Sequence, residues 1–193
     1  SWRSSLRALS WFVFLIAFNT LAFLAYQNFR PGFLEELVQN PRFSIEILSA
    51  LGFILVVIYG ILADLVPGKK ISPLISLLGL LFFLALATSL FFSFNNLSPA
   101  STPMGARPFC LEEVLVYGFF GLISCFFFVR GTDYPFSRRG FLFIGVATTL
   151  VPGVLMQLAC MYSPKHALLV HYGPMFVGLL FGFFLSLFCQ TRD

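Results

Sequence analysis

Six separate stretches of this chain are each long and apolar enough to cross a lipid bilayer, and no other feature limits its fold as strongly. A helix needs about 20 predominantly apolar residues to span the hydrocarbon core. The windows 8–28, 43–65, 72–94, 111–130, 141–162 and 168–189 meet that requirement. The segments between them carry the Pro, Gly, Asn and Ser that break helices and start loops. A water-soluble domain with this pattern could not cover its surface, because 59% of the residues are hydrophobic and 10% are charged. Soluble domains carry about 25% charge. The 27 phenylalanines suit a surface that faces lipid, where an outward apolar side chain costs nothing. The expected fold is an all-α membrane protein: one six-helix bundle over residues 1–193, with no second domain, low-complexity tract or internal repeat.

The net charge of +4 does not indicate nucleic-acid binding, since the cations stand singly or in pairs between apolar runs. There they set topology. With the N-terminus inside, the cytoplasmic side holds Arg3, Arg7, Lys69, Lys70, Arg130, Arg138, Arg139 and Arg192. The outer side holds Arg30, Arg42, Arg107 and Lys165. The excess lies inside, which predicts both termini in the cytoplasm. Residues 8–26 do not read as a cleaved signal peptide, because the apolar run is too long and lacks a small-residue cleavage site. The sequence opens on Ser1 rather than Met, which predicts a removed or processed N-terminal segment. In the first outer loop, Phe33, Leu34 and Leu37 alternate with Glu35, Glu36 and Gln39 as a short surface helix would. The third loop, rich in Pro and Ser, is expected to be extended.

The topology divides the four cysteines. Cys110 begins the fourth helix at the outer face, and Cys160 lies near the outer end of the fifth. Cys125 falls about 22 Å deeper on the fourth helix at the usual rise per residue, and Cys189 closes the sixth on the inner side. Only Cys110 and Cys160 share an oxidising, water-accessible compartment, so only they are expected to pair. The simpler reading, two small packing residues, stands beside it. His166 and His171, the only two histidines, belong to the same outer zone, with Met104 and Met161 as further oxidisable sulfur. Thiolates with imidazoles could hold zinc or another soft metal, although a His-x4-His spacing is loose for a ligand pair. Glu113, one turn after Cys110, is a further candidate to tune the thiol or join a metal. Elsewhere the membrane interior offers Glu46, Asp64, Asn19, Thr148, Thr149 and Pro152-Gly153. These form no evident ion or proton path, and no hydrolase, phosphate-loop or metalloprotease motif occurs. An enzyme is not expected, and no cofactor is required.

Taken in order, the pattern resembles the NrsF family of six-helix membrane anti-sigma factors over roughly residues 7–189. The residues that carry the resemblance are Arg30-Pro31, Leu65-Val66-Pro67-Gly68, Cys110 with Glu113, Arg130-Gly131 with Pro135, and Cys160, His166, His171, Pro174 and Gly178. The resemblance implies a multi-pass protein of the bacterial inner membrane that sequesters an extracytoplasmic-function sigma factor. It implies that Cys110 and Cys160 sense oxidants or heavy metals and govern its release. Family members are expected to use a cytoplasmic N-terminal segment against the sigma factor, which this sequence barely includes. The remaining candidate contacts are Lys69, Lys70, Asp133, Arg138 and Arg139, each equally readable as a topology residue. A small-molecule or metal transporter or channel is the alternative, and direct nucleic-acid contact is not expected.

Overall fold

The computed structural model describes residues 2–26, 29–66, 69–94, 109–129, 136–160 and 164–188. Asp133, Cys189, Met104, Met161, Arg107, Arg130, Gly131, Pro135, Pro67 and Gly68 lie outside the described residues. Every regular element described is helical. In chain order these are α1 (Trp2–Tyr26), α2 (Phe33–Gln39), α3 (Pro41–Asp64), α4 (Pro73–Phe94), α5 (Cys110–Val129), α6 (Arg138–Ala159), α7 (Pro164–His166), a π-helical turn (Ala167–Tyr172) and α8 (Pro174–Phe188). Among the described residues, five helices are long and apolar enough to cross a membrane: those within α1, α3, α4, α6 and the π-turn with α8. The surface helix expected in the first outer loop forms as α2, with Leu34 and Val38 exposed on it.

Helix α6 is the axis of the bundle and packs against α8, α5, α3 and α1. Its spanning window is 72% buried, whereas that of α4 is 17% buried and lies at the periphery against α3. The outside of the bundle is apolar. Phe91, Phe92, Phe119, Phe127, Phe176 and Phe184 are all exposed, which inverts the pattern of a soluble protein and suits a lipid solvent.

Two features hold α6 to its neighbours. Gly145 on α6 faces Gly178 on α8 so closely that a Cβ on either would collide with the other's carbonyl oxygen. Backbones approach this far only where side chains are absent, as expected for helix pairs in lipid, where packing replaces the hydrophobic effect. The second feature is a carboxylate at each end of the α3–α6 pair. Near the cysteine end, Glu46 is fully buried and accepts from Gln157 Nε2 at 2.8 Å and from Ser89 Oγ at 3.2 Å. At the opposite end, Asp64 accepts from the Ser137 N–H at 2.8 Å, where Ser137 caps α6 through its side chain. That carboxylate sits over the N-terminus of α6, where the helix dipole favours an anion.

Some interior polar residues bond within their own helix and others bond across helices. Thr148 and Thr149 donate to the Gly145 carbonyl at 3.0 and 3.2 Å, and Asn19 donates to Leu15. Trp11 joins α1 to α5 through Gly121 and Ser124 at 3.2 and 3.0 Å. Pro152 lies inside α6, which continues through it. Because Pro152 has no N–H, the Thr148 carbonyl lacks its usual helical donor; its oxygen lies against Gly118 of α5, 3.3 Å from where a Cβ would stand.

Several boundaries differ from the sequence expectation: the first helix begins at Trp2, six residues before the expected window, and the fifth at Arg138, three before it. The fifth helix ends at Ala159 instead of continuing to 162, leaving Cys160 as its extended C-cap. The last long helix is not a uniform α-helix, since residues 167–172 take π geometry. Pro174 supplies the reason: it can neither donate to the preceding turn nor fit under its carbonyl, and a wider turn relieves both. A substitution of Gly178→Ala is expected to destabilise the protein by about 1–3 kcal/mol through overpacking. Thermal unfolding in detergent should show this loss, with the exposed control Leu180→Ala close to wild type.

Candidate functional site: a buried cysteine–histidine cluster

The first residue of α5, the C-cap of α6, the end of α7 and the π-turn meet at one end of the bundle. They bring together Cys110, Cys160, His166 and His171, with one donor atom from each lying within 4.8 Å of all the others. The Sγ atoms of Cys110 and Cys160 are 3.2 Å apart, within hydrogen-bond range and without a disulfide between them. Cys160 Sγ lies 3.5 Å from His166 Nε2, and the two imidazoles meet edge to face with centroids 4.9 Å apart. Both cysteines and His171 are buried to within 1% of full exclusion, while His166 is half-buried and forms the open side.

The local fold explains the convergence. Residues five apart on an α-helix point about 140° away from each other. A π-turn holds more residues, roughly 4.4 per turn, so positions five apart come within about 50°. His166 stands just before this turn and His171 within it, so the two share a face. The turn is seated on α6 at Gly153, where a Cβ would collide with the His171 carbonyl oxygen. Around the sulfurs lies a small apolar shell including Phe23, Val114, Met156 and Ala159, with Phe29 and Tyr117 packed against it. The loop before α2 is fastened alongside. Arg30 donates its N–H to the Leu158 carbonyl at 3.2 Å, pairs with Glu36 and stacks over Phe43 at 5.4 Å.

Two features lower the cost of charge at Cys160. Its thiol pKa is held well below the ordinary thiol range, chiefly by hydrogen bonding from Cys110. Burial works against this, and His166 and His171 add to the lowering. The lowered pKa favours the thiolate form at Cys160, with Cys110 beside it. Among the described residues, neither ring nitrogen of His171 makes a well-formed hydrogen bond, although the ring is fully buried.

Glu113 is near but separate. It is not among the donors that converge, and one of its carboxylate oxygens is buried without a hydrogen-bond partner among the described residues. Cys125 is buried deeper on α5, away from the cluster. The basic candidates gather at the other end of the bundle. Lys69 and Lys70 follow α3, Arg138 and Arg139 open α6, and all four are exposed. The Lys69 ammonium lies 5.2 Å from the Tyr59 ring. The sequence reading overlooked a polar chain beside the cluster. Tyr172, the neighbour of His171, donates to Gln157, which in turn donates to Glu46. A buried Glu and Gln in apolar helices was the available signal, but the residues stand 111 positions apart.

A mild oxidant is expected to produce an intramolecular Cys110–Cys160 disulfide, with Cys125 left as a free thiol; peptide mass spectrometry checks the linkage. Alkylation of Cys160 by a small reagent should persist as pH falls below the ordinary thiol range. Cys110→Ala should move that profile back to higher pH, because its largest cause has been removed.

No protein-family model, no curated protein and no solved structure matches this chain, so the reading of the site rests on the geometry and chemistry of these side chains.

Proposed function

We propose that this chain is an integral-membrane anti-sigma factor of the bacterial inner membrane. It holds an extracytoplasmic-function sigma factor and releases it when Cys110 and Cys160 meet oxidant or heavy-metal stress. The observation that carries this reading is the convergence of two cysteines and two histidines at one end of an otherwise apolar bundle. The exposed basic residues stand at the opposite end, about 33 Å away along the 22 residues of α6. The reading counts α5 as a sixth span, its 20 residues matching the ~30 Å hydrocarbon core. It places the cysteine end outside and both termini inside, in keeping with the distribution of cations. The sigma factor itself enters through the resemblance to NrsF proteins.

The chemistry is a two-electron oxidation. The Cys160 thiolate attacks a hydroperoxide oxygen, giving a sulfenic acid and releasing water or an alcohol. Cys110 then attacks the sulfenic sulfur, the S–S bond forms and a second water leaves. Both sulfurs are oxidised and the peroxide is reduced. Closing the 3.2 Å gap to a bond of about 2.05 Å draws the start of α5 toward the end of α6. Since α6 is braced against α3 and α8, the shift reaches Arg138 and Arg139 at its other end. For release, the two states must differ in affinity for the partner, typically about 5–150-fold.

Co-purification tests this. The reduced protein is expected to retain a sigma factor and to lose it on peroxide treatment. Cys110→Ser and Cys160→Ser should each retain it under the same treatment. Oxidant-dependent release from both variants at the wild-type level would overturn the proposal.

A further inference from the structure

The four donors of the cluster are arranged for something more specific than a pair of thiols. A tetrahedral zinc site has metal–sulfur bonds of about 2.3 Å and metal–nitrogen bonds of about 2.0–2.1 Å, which set its donors roughly 3.3–3.8 Å apart. Here the sulfur–sulfur distance is 3.2 Å, the Cys160–His166 distance is 3.5 Å, and all four donors lie within 4.8 Å. A dithiol sensor needs only the two sulfurs. One imidazole would be enough to lower a thiol pKa, so two turned onto the same point by a π-turn are more than such a sensor needs.

His171 provides the second, independent observation. Burying a polar nitrogen without a good partner is costly, yet this ring is fully buried with no well-formed hydrogen bond at either nitrogen among the described residues, and the group that acts on it is Cys160, another member of the cluster. A cation held at one nitrogen offsets that cost. Charge points the same way. Two thiolates cancel the charge of a divalent ion, so a Cys2His2 site is neutral overall and can sit in an apolar shell. The donor set of two soft sulfurs and two imidazoles selects a zinc-like ion over calcium or magnesium, which require oxygen ligands.

We propose that, in the reduced protein, Cys110, Cys160, His166 and His171 bind one zinc(II) ion as a closed four-ligand site. This deepens the sensor reading and rests on the same dithiol as receptor, but it does not involve the cytoplasmic partner. The bound ion ties the start of α5, the end of α6 and the π-turn into a single unit. Peroxide takes two electrons from the two thiolates, the S–S bond forms, two protons complete two waters, and the zinc(II) leaves with its charge unchanged. Loss of the ion and formation of the bond thus act together on the same three elements.

The test uses the full chain, purified in detergent under reducing conditions, with zinc as the probe. Elemental analysis is expected to find one zinc per chain in wild type and less than a tenth of that in Cys110→Ser and His171→Ala. Cobalt(II) substitution should give the intense visible bands of a tetrahedral ion and a sulfur-to-cobalt charge-transfer band, the latter weakened in Cys110→Ser. If the variants fail to fold, chelator-stripped wild type decides the matter. Its thermal midpoint should rise by several degrees when zinc is returned, as expected when a ligand binds only the folded state. Fully reduced thiols with no zinc retained and no thermal shift would overturn the site. Zinc binding with no oxidant-dependent release of a sigma factor would sink the functional proposal alone; release without zinc binding would sink this one alone.

Discussion

Polar groups inside an apolar helical bundle must find partners within the protein, because neither its interior nor a surrounding lipid would supply any, and the pairing of α3 with α6 depends on this. Glu46 at one end binds Gln157 and Ser89. Asp64 at the other end covers the N-terminus of α6. An apolar interface between two helices can slide at little cost, since one aliphatic contact resembles another. A carboxylate fixed to a specific amide or N–H cannot slide without leaving both unpaired. These two contacts therefore set the register of the central helix, and with it the position of Cys160 immediately after Ala159.

The glycine contact between α6 and α8 acts on the same helix from the other side. It fixes how closely α8 approaches, and the π-turn that leads into α8 rests on Gly153. The cluster of cysteines and histidines is thus assembled by α6 and its two braces, and the sulfurs and imidazoles need not hold the bundle together. Tyr172 and Gln157 link the two systems, because the residue next to His171 bonds to the residue that binds Glu46. A change in the cluster meets the α3–α6 contact directly.

Much of this was legible in the sequence. The helical windows follow from apolar length; most described boundaries fall within three residues of those expected, but the first helix begins six residues early, where Trp2–Arg7 are too polar to be counted by hydrophobic length. Cys110, Cys160, His166 and His171 could be grouped because topology assigns them to one end. The His-x4-His spacing is loose for a ligand pair when read from the sequence. It was the π-turn before Pro174 that put both rings on one face. Neither the Glu46–Gln157 contact nor the Gly145–Gly178 contact could be read from spacing, since each joins distant positions and depends on how the helices lie against one another.

By itself the sequence determined that the chain is helical and apolar on its outside, and which residues share an end of the bundle. Those properties follow from hydrophobic length and loop order, both one-dimensional. Only the tertiary structure decided that two sulfurs would stand 3.2 Å apart, that Cys110 would lower the Cys160 thiol pKa, and that His171 would be buried with no well-formed hydrogen bond among the described residues. Distances between elements depend on side-chain fit and on where a helix widens or ends, and these emerge only when the helices pack.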